Sequence, residues 1–201
     1  MVEPRRRELV LASASPFRRR MLEAAGLSFR TLPADVDEAD IRRHLATSDP
    51  VRIAQTLAQA KAAVVSKAQP HALVIGADQV LAFDNQVFGK AKDVHEARAH
   101  LTQLRGHTHE LHSAVALAEA GKILWSHAET AHLAMRAFSD AFLDRYLAQM
   151  GPRACQTVGA YEIEGRGIQL FERIEGDTFT IIGLPLLALL AELRIRGAID
   201  T

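Results

Sequence analysis

The first candidate site is a group of hydroxyl and guanidinium side chains between a predicted strand and a predicted helix. Ser15 is placed to cap that helix, and Pro16 occupies its first position. A helix N-terminus offers free N–H groups and a positive dipole end, and Ser13, Ser15 and Arg18 add further donors. This pattern suits a bound phosphate. A capped helix with a solvated basic face accounts for it equally well.

The second candidate is an acidic residue that follows a continuous apolar run. The run 72–76 predicts a strand buried on both faces, which we expect to end at 77–79, around Asp78. Ligand sites in α/β sheets lie at the carboxyl ends of strands, where a carboxylate can bind a divalent metal or accept a proton from water. Because Asp is also common in turns, capping of a neighbouring turn is the alternative role.

Two lysines could neutralise phosphate charge. Lys61 lies in an Ala-rich predicted helix, and Lys90 follows Gly89. Gly89-Lys90 is not a P-loop, because the upstream Gly and the downstream Ser or Thr are missing. For each lysine alone, a solvated side chain is the alternative interpretation.

Further carboxylates and histidines suggest metal binding. Glu38 ends the acidic run 35–38, and Glu164 would share one face of an extended segment with Glu162. Solvation at a loop or strand edge is the alternative for both. The histidines at 107, 109 and 112 suggest zinc, but they would point to both faces of a strand and no cysteine lies near them. Zinc is therefore not favoured.

Composition limits the possible classes of function. The chain has 201 residues, 24 basic and 24 acidic side chains, and one cysteine. It is long enough for one domain, or for one domain with two lobes, and its zero net charge gives no global attraction to nucleic acid or anionic membranes. No apolar run reaches the roughly 18 residues of a spanning helix, and the apolar stretch after the basic N-terminus is too short for a signal peptide. We expect a cytoplasmic protein.

Helical and extended patterns alternate along the chain, which predicts an α/β fold. A hairpin is predicted with its tip at Asp84-Asn85. The predicted helices begin at Ser15 and span 50–67, 93–104, 139–150 and 185–196. The predicted strands are 8–12, 28–32, 72–76, 110–118, 123–127, 167–174 and 178–182.

The candidate residues occur within short motifs that cover nearly the whole chain. In order, the motifs are Leu11-Ala12-Ser13-x-Ser15-Pro16-x-Arg18, Asp37-Glu38, Lys61-Ala62, Gly76-Ala77-Asp78, Gly89-Lys90, Leu104-x-Gly106-x-x-His109, Gly159-Ala160-Tyr161-x-Ile163-x-Gly165-x-Gly167, Ile174-Glu175-Gly176 and Gly183-Leu184-Pro185-Leu186. This set resembles the Maf family of nucleoside triphosphate pyrophosphatases. The resemblance is specific because the motifs occur together in this order, whereas no single motif would identify the family.

The resemblance implies a Maf/ITPase-like α/β fold over residues 1–201, with an elongated mixed sheet flanked by helices and a central nucleotide-binding cleft. It implies hydrolysis of a nucleoside triphosphate to a monophosphate and pyrophosphate, a divalent cation (Mg²⁺, with Mn²⁺ as the alternative) and a homodimer. Asp78 matches the proton acceptor, and we place Lys61 and Glu38 with it as catalytic residues. The implied substrate-binding residues are Ser13, Ser15, Arg18, Lys61 and Lys90, and the implied metal ligands are Asp78, Glu38 and Glu164.

Three positions depart from the commonest family pattern. Phe17, Gln79 and Glu164 stand where the family usually has Arg, Thr and Gln. These differences resemble a subgroup that acts on 7-methyl-GTP, although that subgroup has Trp rather than Phe at the first position. We therefore expect a preference for a modified purine, with a broader nucleotide range as the alternative.

Two classes of function follow from the resemblance. The first is an enzyme that removes non-standard nucleotides before they are incorporated into nucleic acid. The alternative is a regulator of septum formation and cell-division arrest that acts by nucleotide sensing or protein binding. The zero net charge and the lack of a DNA-binding motif predict no stable binding to nucleic acid.

Overall fold

The functional residues are carried by one sheet and the helices packed against it. The computed structural model describes residues 7–200. The expectations for the first six residues, which include part of the basic N-terminus, and for residue 201 lie outside that range.

Strands and helices alternate as the sequence predicts. The strands are β1 (Leu9–Leu11), β2 (Arg30–Thr31), β3 (Leu73–Phe83), β4 (Gln86–Phe88), β5 (Thr108–Glu119), β6 (Lys122–Met135) and β7 (Phe171–Glu175). The helices are α1 (Pro16–Ala24), α2 (Glu38–Leu45), α3 (Pro50–Ala68), α4 (Val94–Leu104), α5 (Asp140–Met150), α6 (Thr178–Ile182) and α7 (Leu186–Ile195). Short 3-10 helices occupy Gly151–Cys155 and Arg166–Leu170.

The sheet is mixed. Its order is β2-β1-β3-β5-β6-β7, with β4 paired to β3. β1 is parallel to β2 and β3, whereas the other pairs are antiparallel. The predicted mixed α/β fold with flanking helices is confirmed, and so is the hairpin, whose tip residues Asp84 and Asn85 both have positive φ.

One edge of β3 is open at its centre. β1 pairs with residues 73–75 of β3, and β4 pairs with residues 81–83 on the same edge. Residues 76–80 have no strand partner there among the described residues, while β5 pairs continuously along the opposite edge. Asp78 therefore lies in the middle of a strand. The prediction that the strand ends at 77–79 is wrong, because β5 keeps the chain extended beyond the end of β1.

Two other segments differ from prediction. Residues 178–182, predicted as a strand, form α6, because the Asp177 side chain caps the helix by accepting a hydrogen bond from the Thr180 N–H at 2.9 Å. Residues 167–174 are divided between a 3-10 helix and β7. In both segments the apolar and β-branched residues suggest strands, but local capping and turns decide the backbone.

Helix α2 was missed because its apolar side consists only of Ile41 and Leu45, which are partly buried against the core, and none of its residues is fully buried. Asp37 caps it by accepting a hydrogen bond from the Asp40 N–H at 2.8 Å. The acidic run 35–38, interpreted above as a loop, thus contains a helix start.

The absence of a side chain at Gly76 allows α3 to pack directly on β3. A Cβ atom at Gly76 would lie 2.2 Å from the Ala58 carbonyl oxygen and 2.6 Å from the Ala62 nitrogen, both backbone atoms of α3. Such distances are far below van der Waals contact. This close approach places Lys61, the residue before Ala62, beside β3.

The three histidines near the start of β5 do not form one site. His109 Nε2 lies 2.7 Å from the Tyr161 hydroxyl, and His112 Nδ1 lies 2.9 Å from the Thr130 hydroxyl. Within residues 7–200 no group of three His, Cys, Asp or Glu side chains is arranged to hold a metal by itself. Over the same range no helix is long and apolar enough to cross a bilayer.

Burial of His109 should make the fold sensitive to acid. Burial lowers the pKa of His109 from 6.5 to about 4, because the charged ring cannot be solvated. Below pH 6.5 His109 is therefore protonated in the unfolded chain but not in the folded one. The unfolding free energy consequently falls as the pH decreases toward 4. We expect the wild type to lose about 2 kcal/mol more unfolding free energy than His109→Phe between about pH 7 and pH 4.5. Urea unfolding at both pH values measures this, and equal losses in the two proteins would contradict it.

Candidate active site

The open edge of β3 faces a cleft with a volume of about 840 Å³. This volume is within the range of small-molecule sites. The cleft is lined by the loop between β1 and α1, by α2 and α3, by residues 89–90 and by residues 155–158. The predicted cleft is therefore present, and the gap between β1 and β4 on one edge of β3 accounts for its position.

Asp78, Lys61 and Glu38 form a linked ion-pair group in the cleft. Lys61 Nζ lies 2.6 Å from Asp78 Oδ1 and 2.7 Å from Glu38 Oε1. Asp78 is only 5% exposed, and its second oxygen, Oδ2, is buried with no hydrogen-bond partner among the described residues. Three residues predicted to be catalytic are thus brought together from β3, α3 and α2.

The two carboxyl groups have opposite pKa shifts. Burial raises the pKa of Asp78 by more than the positive charges of Lys61 and Arg18 lower it. Burial would also raise the pKa of Glu38, but its hydrogen bond to Lys61 and the nearby positive charges together lower it. Asp78 is therefore the more readily protonated carboxylate of the pair, as suits a group that accepts a proton.

Arg18 replaces a missing strand at the open edge of β3. Its Nη1 donates to the Ala77 carbonyl oxygen at 3.0 Å and to the Ser13 hydroxyl at 3.1 Å. Its Nε donates to the Gly183 carbonyl oxygen at 2.8 Å. Burial lowers the pKa of Arg18, partly opposed by the negative charges of Asp78 and Glu38. The guanidinium is therefore held rigidly beside Asp78.

The two serines line the cleft and also shape its wall. The Ser13 hydroxyl accepts a hydrogen bond from the Ser15 N–H at 3.2 Å. The Ser15 hydroxyl caps α1 by accepting from the Arg18 N–H at 3.4 Å. The capping role predicted for Ser15 is confirmed, and phosphate binding by either serine stays a prediction.

Lys90 adds a third cation to the cleft. Its backbone forms an isolated β-bridge with Val158. Burial lowers the pKa of its amine, and the positive charges of Arg18 and Lys61 lower it further. Three positive groups gathered near a buried carboxylate favour an anionic ligand, because a bound anion relieves their mutual repulsion.

The three residues predicted to set specificity border one small cavity. This cavity, of about 20 Å³, adjoins the cleft, and Phe17 and Gln79 line both. Gln79 Nε2 donates to the Ser113 hydroxyl at 3.0 Å and to the Ile181 carbonyl oxygen at 2.9 Å, which fixes the orientation of its amide. Glu164 lines only the small cavity. We refer to the small cavity, together with the adjoining part of the cleft that Phe17 and Gln79 line, as the Phe17 end of the cleft.

The structure does not support Glu164 as a third metal ligand with Asp78 and Glu38. It lies in the turn before the second 3-10 helix, where the Gly165 N–H donates to the Glu162 carbonyl oxygen at 3.2 Å. Glu162, two residues before Glu164, is buried, pairs with Arg153 and lines the same small cavity. The prediction that the two glutamates share a face of an extended segment is wrong, because the segment is turned.

The remaining pair, Asp78 and Glu38, still fits a divalent cation that is shared with a ligand. Asp78 Oδ2 is a buried oxygen without a hydrogen-bond partner in residues 7–200, and oxygen atoms are the ligands that Mg²⁺ and Mn²⁺ prefer. Mg²⁺ is commonly bound by one or two carboxylates together with substrate phosphates. Two protein carboxylates are therefore sufficient when the ligand supplies further oxygens.

Sequence reasoning missed Arg42, which lines the cleft from α2. No motif marks it, and α2 itself was not predicted. The only signal is its spacing of four residues from Glu38, which places both side chains on one face of a helix once that helix is known.

Arg18→Ala should impair substrate use far more than Arg19→Ala. Arg18 is half-buried beside Asp78, whereas the Arg19 side chain is 56% exposed and pairs with Glu23 on the outer face of α1. Loss of a charge-assisted hydrogen bond costs about 1.5–3 kcal/mol, so we expect kcat/KM to fall at least about tenfold for Arg18→Ala only. Steady-state kinetics of both variants test this, and similar losses in the two would contradict it.

The chain is similar to known proteins over almost its whole length. The family model described as "Maf-like protein" matches residues 8–195. A protein named 7-methyl-GTP pyrophosphatase from Mesorhizobium japonicum is 52% identical over 96% of this chain and 98% of its own, and a nucleoside triphosphate pyrophosphatase from Paramagnetospirillum magneticum is 51% identical over 94% and 98%. A solved dITP/XTP pyrophosphatase from Mycobacterium abscessus aligns with 94% of this chain and 95% of its own, at 14% identity and a TM-score of 0.43. By its family match and these relatives, the chain belongs to the Maf-like protein family.

Proposed function

We propose that this protein hydrolyses nucleoside triphosphates between the α and β phosphates and prefers 7-methyl-GTP. The observation that carries the proposal is the buried Asp78, which has one oxygen without a partner in the described part of the chain and lies among the cations of a nucleotide-sized cleft. The names of the two relatives above support both the reaction and the methylated base. Removal of a non-standard nucleotide before incorporation is the biological role that follows.

In this mechanism the Asp78 carboxylate accepts a proton from the attacking water. Lys61 holds Asp78 through Oδ1 and so fixes the orientation of the carboxylate in the cleft. Arg18, Lys90 and the Ser13 hydroxyl surround the phosphates and stabilise the charge that develops on them. No covalent intermediate is needed.

A divalent cation, Mg²⁺ or alternatively Mn²⁺, would be held by Asp78 and Glu38 together with the phosphates. When bound, it offsets phosphate charge and lowers the pKa of water. Lys61 joins the two carboxylates in the structure, and therefore keeps both at one side of the cleft. Cation-dependent activity is the expectation.

The Phe17 end of the cleft is proposed to bind the base. A 7-methylated guanine carries positive charge on its ring, which an aromatic face and a nearby carboxylate both attract. Phe17 offers the aromatic face and Glu164 the carboxylate. The amide of Gln79, fixed by Ser113 and Ile181, offers its oxygen to the base.

The proposal extends to the protein's setting. We propose that the protein is a cytoplasmic homodimer, as the family resemblance implies. We further propose that it does not bind nucleic acid stably. The zero net charge supports the last point. The alternative of a division regulator is not favoured, because the relatives are named for pyrophosphatase activity.

A substrate panel tests the proposed function. Pyrophosphate release is measured with Mg²⁺ for 7-methyl-GTP, GTP, UTP and dTTP. We expect the highest kcat/KM for 7-methyl-GTP. A protein that binds these nucleotides but releases no pyrophosphate from any of them would be a sensor rather than an enzyme.

The base preference should depend on three residues acting together. Changing Phe17 to Arg, Gln79 to Thr and Glu164 to Gln restores the commonest family pattern and removes the aromatic face and the carboxylate. We expect the triple variant to shift its preference toward pyrimidine triphosphates while retaining pyrophosphate release. The same panel measures the shift, and an unchanged ranking of substrates would show that these positions do not set specificity.

A further inference from the structure

We propose that Arg42 binds the β and γ phosphates and therefore contacts the pyrophosphate leaving group. This inference deepens the proposed function and rests on it. Arg42 belongs to α2 and lines the cleft that contains Asp78. None of the motifs described above includes Arg42.

The first observation is an unsatisfied donor. Arg42 Nε is buried, and within residues 7–200 no atom accepts a hydrogen bond from it. A buried donor of a charged group is costly to leave unpaired, so such groups normally have a partner. A ligand in the cleft is the partner that the geometry suggests, because Arg42 lines the cavity that the ligand would fill.

The second observation is that two other cations of the cleft already have partners. Arg18 donates to Ser13, Ala77 and Gly183, and Lys61 is shared by two carboxylates. Arg42 differs from them, because no described residue accepts a hydrogen bond from its buried Nε. A triphosphate of about four negative charges needs such uncommitted cations.

The third observation is which groups of the cleft are linked to one another and which cavity each lines. Gln79 belongs to the Phe17 end, and its neighbour Asp78 is linked through Lys61 to Glu38. Arg42 lies one helical turn beyond Glu38 and lines the cleft but not the small cavity. With the base at the Phe17 end and the reacting α-phosphorus at Asp78, the phosphates nearest Arg42 are those farthest from the base.

The next residue on α2 provides a matched control. The Arg43 side chain is 73% exposed and pairs with Asp40 at 2.9 Å, and Arg43 does not line the cleft. Arg43→Ala therefore removes the same charge from the same helix without removing a cleft donor.

The kinetic test compares Arg42→Ala with Arg43→Ala and the wild type. Inhibition constants are measured for inorganic pyrophosphate and for 7-methyl-GMP, beside KM for 7-methyl-GTP. We expect Arg42→Ala to raise KM and the pyrophosphate inhibition constant about tenfold or more, and to leave the monophosphate constant within about twofold. Arg43→Ala should leave all three unchanged. An unchanged inhibition constant for pyrophosphate would overturn the assignment. An equal rise in the inhibition constants of pyrophosphate and 7-methyl-GMP would also overturn it, because that result indicates a general effect through Glu38.

A binding measurement separates this inference from the proposed function. Calorimetric titration of wild type and Arg42→Ala with inorganic pyrophosphate and Mg²⁺ requires no turnover. If the wild type releases no pyrophosphate from any nucleotide, the proposed function fails, yet an approximately tenfold weaker titration of the variant still supports the Arg42 site. Equal pyrophosphate affinities of wild type and variant reject it, whether or not the enzyme is active.

Discussion

Asp78→Asn is expected to lower kcat for pyrophosphate release at least ~10²-fold while leaving the melting temperature nearly unchanged. A positioned general base is typically worth about 10²–10⁴-fold, and the amide can neither accept the proton nor bind a divalent cation strongly. The fold should tolerate the change, because the side chain keeps its size and burial already disfavours the charged carboxyl. Lys61 retains Glu38 as a partner.

The control for this variant is Asp84→Asn. Asp84 lies at the tip of the β3–β4 hairpin with φ of 51°, a conformation that Asn also adopts readily. We expect normal kcat and normal melting for this variant. If instead Asp78→Asn lowers the melting temperature and keeps near-normal turnover per folded molecule, Asp78 has a structural role and the assignment is wrong.

Gly76→Ala is expected to destabilise the protein by about 1–3 kcal/mol or more, because overpacking here involves backbone atoms that cannot rotate away. The added Cβ would lie 2.2 Å from the Ala58 carbonyl oxygen, so α3 must move away from β3. That movement carries Lys61 away from Asp78, and we expect kcat/KM to fall as well. Urea unfolding and steady-state kinetics measure the two effects.

Gly89→Ala provides the comparison for stability. A Cβ atom at Gly89 would meet nothing within 4 Å, and the φ of Gly89 lies outside the left-handed region. We expect its unfolding free energy to change by less than about 0.5 kcal/mol. Equal unfolding free energies for Gly76→Ala and wild type would show that close packing of α3 on β3 is not what positions Lys61.

Much of the site could be predicted because its parts are local. The capped start of α1 is visible in the spacing of Ser15 and Pro16, and the apolar run before Asp78 indicates a buried strand. The sequence does not reveal that two strands, β1 and β4, pair with different parts of the same edge of β3. That β1 and β4 leave the centre of β3 open depends on long-range pairing, and this opening lets Arg18 bind the Ala77 carbonyl oxygen.

The errors have a common physical origin in elements without a clear hydrophobic period. Helix α2 has only Ile41 and Leu45 on its apolar side, so its hydrophobic pattern is short and easily overlooked, and Arg42 was missed with it. Helix α6 is only five residues long, and its cap at Asp177 outweighs a strand-like composition. Glu164 was grouped with the metal ligands because residue type does not reveal that a turn directs it to another cavity.

Hydrolysis of 7-methyl-GTP in ¹⁸O-labelled water, with the products resolved by mass spectrometry, tests the central claim most directly. If Asp78 activates water for attack on the α-phosphorus, the products are 7-methyl-GMP and pyrophosphate, and the label is in the monophosphate. The rate should fall at least ~10²-fold in Asp78→Asn. Formation of a nucleoside diphosphate with inorganic phosphate, or label found in the pyrophosphate, would contradict the account.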